Sequence, residues 1–484
     1  MIRNLVWIGF LFFAITLLDS CSKEEIEPTE PPPVVEEPEL LYPKKEMRGV
    51  WMATVWGLDW PQGDFDVTSQ KKLYTDYLDQ FQELNINAVF FQIKGMGDAF
   101  YDSPYEPWSQ NITGIRGMDP GYDILHFLIE EAHKRHIEFH AWMNPYRIST
   151  RANNSSSYPA LHTSIPQDWV VSHEKIQIYN PALPEVRQRL ADIVKDLITK
   201  YEVDGIHFDD YFYPAPASTG QMVSDQGDYE KYGEGYDSID EFRRANVDMA
   251  IKGVYDAIVE NRPEVVFSVS PAPSHEYNYS TLFADVRKWC KEGWLDLVIP
   301  QLYQEIGNPY NDFQNNLNWW LQYHYEAALM VGHGYYKFGD GSSPAPFQST
   351  GELGDQYEMT RRNEKVVGNL LYSARYIPLN RIGITEKLAK LYENPSVIPF
   401  LGRSVLDAPL QPMNVRLEGN RLKWTTSGTV RSVLYYFADR EEVGTVLAIT
   451  DQQEFQVDAP GYYSISTFNA ENKESQPSKL LRKE

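Results

Sequence analysis

The stretch PEVRQRLADIVKDLITKYEVDGIHFDDYFYP, residues 184–214, changes its hydrophobic period once. Up to Lys200 the apolar residues Val186, Leu190, Ile193, Val194 and Leu197 recur at spacings of three and four, which predicts a helix with one buried stripe. From Val203 apolar and polar residues alternate as far as an Asp-Asp pair, and Pro214 closes the run. That is a strand, and alternate strand residues share a face. Gly205, His207, Asp209 and Tyr211 therefore point one way, while Ile206 and Phe208 point the other, with the bulk that suits a layer between sheet and helices.

The same helix-to-strand unit repeats on both sides of this stretch. Strand-like runs lie at 48–56, 86–94, 137–147, 265–273, 295–303, 328–336 and 366–374, and helical stretches separate them. Their near-continuous apolar character is that of strands covered on both faces. Eight such units fit a (β/α)8 TIM barrel over residues 45–405, and no glycine-rich phosphate loop follows the first strand. The tail, 408–484, has short alternating runs with turns between them and no helical pattern. It predicts a small C-terminal β-sandwich that resembles a fibronectin type III module, with Trp424 on an early strand.

Residues 1–21 read as an export leader, with Arg3 ahead of an apolar run from Leu5 to Leu18 that is short for a membrane span. The leader ends in a lipoprotein-like box that would make Cys21 the lipidated residue, and SKEE (22–25) resembles an acidic tag for the outer face of the outer membrane. Residues 22–44 form an acidic, proline-rich linker. The expectation is an exported lipoprotein on the outer membrane. With Cys21 acylated, Cys290 stands alone, so no intramolecular disulfide forms, and its helical setting predicts a buried thiol. The 44 basic against 68 acidic residues, net −24, argue against a nucleic-acid partner. A 42% hydrophobic content excludes a wholly disordered chain, and a monomer is expected.

In a TIM barrel the chemistry sits at the C-terminal strand ends. Polar residues gather there in this chain: Gln92 and Lys94 on the second strand, Asn144 and Arg147 after the third, and Asp209 and Asp210 on the fourth. Ser270 and His275 follow the fifth, Gln301 and Tyr303 the sixth, and His333 and Tyr372 belong to the last two. Two adjacent carboxylates among aromatic rings should have one pKa raised, which suits general-acid work. The residues leave open which Asp carries the proton. Aromatic side chains stack on sugar rings, and Trp60, Tyr105 and Trp108, on loops, are candidates for it, whereas Trp51 and Trp142 read as core. His207 has no second histidine at ligand spacing, so neither metal nor other cofactor is expected.

Six stretches in order, RGVWMATVWGLDWP (48–61), NAVFFQIKGMGDAFYDS (87–103), AWMNPYR (141–147), VDGIHFDDYFYP (203–214), FSVSP (267–271) and PQLY (300–303), resemble the glycosyl-hydrolase-like-10 family. The resemblance implies a (β/α)8 glycoside hydrolase, similar to divisome-type enzymes that cleave peptidoglycan strands stripped of stem peptides. It is also similar to a hydrolase domain acting on partially deacetylated poly-N-acetylglucosamine. It places the catalytic acid at Asp209 or Asp210, and Asn144, Arg147, Gln301 and Tyr303 at substrate-lining positions. The family's Gln-x-Arg-Pro is Gln92-Ile93-Lys94-Gly95 here, so a bidentate fork is lost. The usual Tyr-Trp is Tyr303-Gln304, followed by an extra carboxylate, Glu305. Against chitinase-like barrels, the catalytic Glu position is occupied by Tyr211.

The expectation is a hydrolase of an amino-sugar glycan, with Asp209 and Asp210 catalytic and Gln92, Lys94, Asn144, Arg147, His207, Tyr211, Gln301 and Tyr303 binding substrate. The alternatives are a non-catalytic surface glycan-binding lipoprotein and a metal-dependent deacetylase.

Overall fold

The computed structural model describes residues 40–216, 219–403 and 405–484. The leader with Cys21, and the linker up to Glu39, lie outside the described residues. Eight parallel strands close into a barrel: β1 (Met47–Met52), β2 (Ala88–Lys94), β3 (Glu138–Met143), β4 (Gly205–Phe208), β5 (Val266–Val269), β6 (Leu297–Val298), β7 (Ala328–His333) and β8 (Val366–Tyr372). Each pairs with its sequence neighbours, and β8 pairs back onto β1. A helix follows each strand: α1 (Val67–Glu83), α2 (Ile124–His133), α3 (Pro184–Lys200), α4 (Ile239–Asn261), α5 (Val286–Lys291), α6 (Phe313–Tyr323), α7 (Gly351–Arg361) and α8 (Ile384–Leu391). This is the TIM barrel that the alternating pattern predicts.

Local chemistry sets the helix starts. Asp66, Asp123, Asp285 and Asp312 each accept a hydrogen bond from a backbone N–H of the first turn, at 2.8–3.1 Å, in α1, α2, α5 and α6. Pro184 opens α3, where its missing N–H costs nothing. The helices bury their apolar stripe against the outer face of the strands, so Ile206 and Phe208 sit in that layer as strand parity requires. The smaller interior cluster is built from Met47, Trp51, Phe90, Trp142, Met330 and Leu370. Cys290 is a free, buried thiol on α5.

The strands are shorter than the apolar runs that predict them, because most of those runs continue past the last ladder bond into the loops at the mouth; β2 instead reaches the end of its run at Lys94 and starts later. One feature was not legible in those runs. After β3 the strands Arg147–Thr150, Val170–His173 and Ile176–Tyr179 form a small antiparallel sheet with the last in the middle. Each has only four residues, too few for a period to show.

The tail folds as two antiparallel sheets. One holds Met413–Glu418, Arg421–Thr425 and Glu454–Gln456, and the other holds Thr445–Thr450, Arg431–Phe437, Gly461–Phe468 and Leu481–Lys483 in that spatial order. Trp424 is buried between them and donates to Ser432 Oγ at 2.8 Å. Tyr463 Oη donates back to Ala459 O at 2.5 Å, the corner device of sandwich folds. The sandwich packs beneath the barrel, where strands begin: Asn472 Nδ2 donates to Glu138 Oε1 at 2.5 Å, and His136 faces Asp451 at 3.5 Å. Residues 40–45 run along this junction, with Tyr42 edge-on to Tyr435 at 4.8 Å and Lys45 paired to Glu474 at 2.6 Å.

Within the barrel, His140 stacks on Phe90 at 4.3 Å, and its other side rests on the bare Cα of Gly205. A methyl group there would lie 2.1 Å from His140 Nδ1. Gly205→Ala is therefore expected to destabilise the fold by about 1–3 kcal/mol, the range for an overpacked core. Chemical denaturation monitored by tryptophan fluorescence measures it; unchanged stability would show that the ring moves aside freely.

Candidate active site

The chain leaves β4 after Phe208 and delivers Asp209 and Asp210 to the mouth. Asp209 is buried, and its surroundings are donors: Trp142 Nε1 at 3.1 Å, Asn144 Nδ2 at 3.0 Å and Tyr211 N at 3.3 Å. Asn144 cannot turn its amide round. Its Oδ1 already accepts from Tyr146 N at 3.2 Å and Arg147 N at 2.7 Å, which fixes Nδ2 towards Asp209. Burial raises the Asp209 carboxyl above its ordinary range, while the Arg147 charge and these donors work against that rise.

Asp210 is partly exposed and has a different environment. Gln301 Nε2 donates to its Oδ1 at 3.1 Å and to Ser270 O at 2.9 Å, so the amide is fixed as a bridge between β5 and β6. Burial first, and the charge of Asp209 second, push the Asp210 carboxyl up to about 7. The two neighbours thus differ in kind. Asp209 has three N–H donors and a guanidinium for its negative form, whereas Asp210 has a negative neighbour. A single shared proton belongs on Asp210.

His207 lies below the pair and is fully buried. Trp51 Nε1, which can only donate, reaches His207 Nε2 at 3.0 Å, so the ring's own hydrogen is on Nδ1, facing Ser268 Oγ at 2.9 Å. Ser270 Oγ also approaches Nε2, at 3.1 Å. Burial, with His140 nearby, holds the imidazole well below its ordinary pKa, so it is neutral. His207 is part of the floor that carries Asp209 and Asp210, and does not face the open mouth.

The remaining candidates divide by depth. Gln92 Oε1 accepts from Thr54 N at 3.1 Å and Val55 N at 2.9 Å, tying β2 to the loop after β1, while its Nε2 is buried without a hydrogen-bond partner. Lys94 is only 1% exposed; it donates to Met96 O at 3.0 Å and stands 3.8 Å from Glu106. Glu106 in turn accepts from Tyr179 Oη at 3.0 Å, so Lys94 belongs to a buried polar cluster behind the mouth. Arg147 donates to Gly95 O at 2.9 Å and lies 4.8 Å from the centre of the Tyr211 ring, which is 50% exposed. Tyr303 stacks on Tyr372 at 5.9 Å, and Trp51 and Tyr336 meet both rings edge-on, making an aromatic wall beside the acids.

Several expectations fail. Trp60, a candidate for stacking on a sugar, is 0% exposed, packs on Phe91 and Phe100, and donates to Gln70 O. His333 does not face the mouth: it sits between β7 and the helices, bonded to Gln356 and Asn369. His275 stacks on Trp319 of α6 at 4.8 Å. Trp51 and Trp142 are core rings, but their indole N–H groups hold His207 and Asp209. Indole N–H groups on inward positions of β1 and β3 were the available signal for that role. Among the described residues, no three His, Cys, Asp or Glu side chains are placed to hold a metal ion.

The glycosyl hydrolase-like 10 family matches residues 46–343, from the start of β1 to beyond β7. The chain belongs to that family. It is 35% identical over 389 residues to glycosyl hydrolase YngK of Bacillus subtilis (strain 168), covering 76% of each chain. With glycosyl hydrolase DigH of Escherichia coli (strain K12) the identity is 34% over 400 residues, covering 75% of this chain and 91% of that one. Among solved structures, the glycoside hydrolase domain of PgaB (BpsB) from Bordetella bronchiseptica aligns at 13% identity and a TM-score of 0.48, over 72% of this chain and 98% of that one. In this glycosyl hydrolase-like 10 protein the family match takes in Asp209, Asp210, Asn144, Arg147, Gln301 and Tyr303, while β8, with Tyr372, and the sandwich lie beyond it.

The raised Asp210 pKa has a thermodynamic signature. An ordinary Asp, at 3.8, releases its proton on unfolding, so the native state holds the extra proton between that pH and about 7. Stability then falls as pH rises through this window and levels off above it. Asp210→Asn removes the term. Relative to the parent, the variant is expected to gain about 1–3 kcal/mol between pH 4 and pH 8. Urea unfolding at both pH values measures the difference, and a pH-independent difference would assign the proton elsewhere.

Proposed function

We propose that this protein hydrolyses glycosidic bonds in an N-acetylated amino-sugar glycan, such as peptidoglycan strands without stem peptides, with Asp210 as the acid. The observation that carries this reading is the asymmetry of the pair: Asp210 raised to about 7 beside an Asp209 surrounded by donors. Because Gln301 Nε2 donates to Asp210 Oδ1, the proton sits on Oδ2 and passes to the departing glycosidic oxygen. The nucleophile is the substrate's own acetamido oxygen, which attacks the anomeric carbon and makes a second protein carboxylate unnecessary. The Asp209 carboxylate accepts the acetamido N–H and holds that group in line. Water then opens the cyclic intermediate as Asp210, now a carboxylate, takes the water's proton. Tyr303 and Tyr372 offer ring faces for the sugar, and Arg147 and Gln301 brace the acids.

Assays on stripped peptidoglycan strands and on N-acetyl-chitooligosaccharides test this. Asp210→Asn is expected to lower kcat by about 10²–10⁴-fold, the usual share of a general acid. Parent activity should fall as pH rises through about 7, as Asp210 loses its proton. Full activity in both Asp209→Asn and Asp210→Asn, or glycan binding with no new reducing ends, would overturn the reading.

The same proposal places the enzyme on the outer membrane by a lipid on Cys21, supported by the apolar leader and the acidic linker that follows. Cys21→Ala should move the protein from the membrane to the soluble fraction; retention in the membrane fraction would remove the anchor.

A further inference from the structure

Beside the acids lies a cavity of about 580 Å³, walled by the loops that follow β5 and β6. That volume is within the range of small-ligand sites. Its lining has the side-chain amides of Gln304, Asn311, Asn315 and Asn316, together with Tyr277 and Tyr310, no lysine or arginine, and a single carboxylate, Asp312, whose oxygens accept from Gly307 N and Asn315 N. Tyr310 is 97% exposed and Tyr277 42%, so two rings stand open to a ligand. The Gln304 Oε1 atom is buried and has no hydrogen-bond donor. The walls are braced. Asn278 bonds both the N–H and the carbonyl of Ala272, at 3.0 and 2.8 Å, and Trp320 Nε1 donates to Pro273 O at 2.9 Å. The cavity's loops lead directly from the strand ends that carry Ser270 and Gln301, and Gln301 bonds both Ser270 O and Asp210 Oδ1.

We propose that this cavity is a binding subsite for a further sugar of the same chain, an uncharged N-acetylhexosamine beyond the unit held at the acids. Asn316 donates to Asn311 Oδ1 and to Asp312 O, which leaves the Gln304 and Asn315 amides to offer donors and acceptors to hydroxyl and acetamido groups, and open tyrosine rings cover the apolar face of a pyranose. With no cationic side chain in the lining, a carboxylate-bearing substituent would lose its water without gaining a partner. The site therefore favours a neutral sugar here, and the protein works within chains and not on disaccharides. This rests on the glycosidase reading above, and the experiment separates the two.

N-acetyl-chitobiose and N-acetyl-chitohexaose are titrated into Asp210→Asn protein by calorimetry, and parent cleavage rates are measured on both. The hexamer is expected to bind at least tenfold more tightly than the dimer. Tyr310→Ala should collapse that ratio, and Tyr310→Phe, which keeps the ring, should restore it. Parent cleavage should favour the hexamer likewise. Equal affinity for both lengths, a ratio untouched by Tyr310→Ala, or no binding of either sugar would overturn the subsite. Length-dependent binding without any cleavage would overturn the glycosidase reading and leave the subsite standing.

Discussion

Two adjacent carboxylates, one buried and one partly exposed, cannot share their charge equally, and the rest of the site is arranged around that constraint. The protein resolves it by giving its donors to one side. Trp142, Asn144 and the Tyr211 backbone all point at Asp209, and the Arg147 guanidinium lies nearby. Asp210 receives a neutral amide and a negative neighbour. The asymmetry depends on Asn144, whose carbonyl is held by two backbone N–H groups at the start of the small sheet after β3. A loop turn thus sets a titration.

Beneath the acids the largely apolar barrel interior also holds two histidines. His140 stacks on Phe90, while His207 meets the same ring edge-on and bonds to Trp51 and Ser268. A fully bonded, neutral His207 neither adds charge under the pair nor moves, so the mouth rests on a fixed floor. Gly205 makes this possible by leaving the space a side chain would fill.

How much of this the sequence disclosed varies with scale. The barrel was legible because eight apolar runs separated by amphipathic helices admit few other arrangements. The Asp pair was legible from strand parity and from its place at a strand end. Parity ceased to inform at Phe208, where β4 ends, so it could not tell Asp209 from Asp210; their difference lies in donors contributed by β3 and by the end of β6, far away in sequence. Lys94 shows the opposite limit. A lysine at a strand end looks available, yet Glu106, from the loop after β2, and Tyr179, from the small sheet after β3, enclose it. Trp60 misled for the same reason, since only the packed structure places Phe91 and Phe100 against it.

The sandwich and residues 40–45 meet the barrel at the end where its strands begin. The chain therefore enters the fold from the side opposite the acids. The base of the barrel is thus covered by the protein's own chain, and the mouth is the end that a long, stiff polymer can approach without meeting the sandwich.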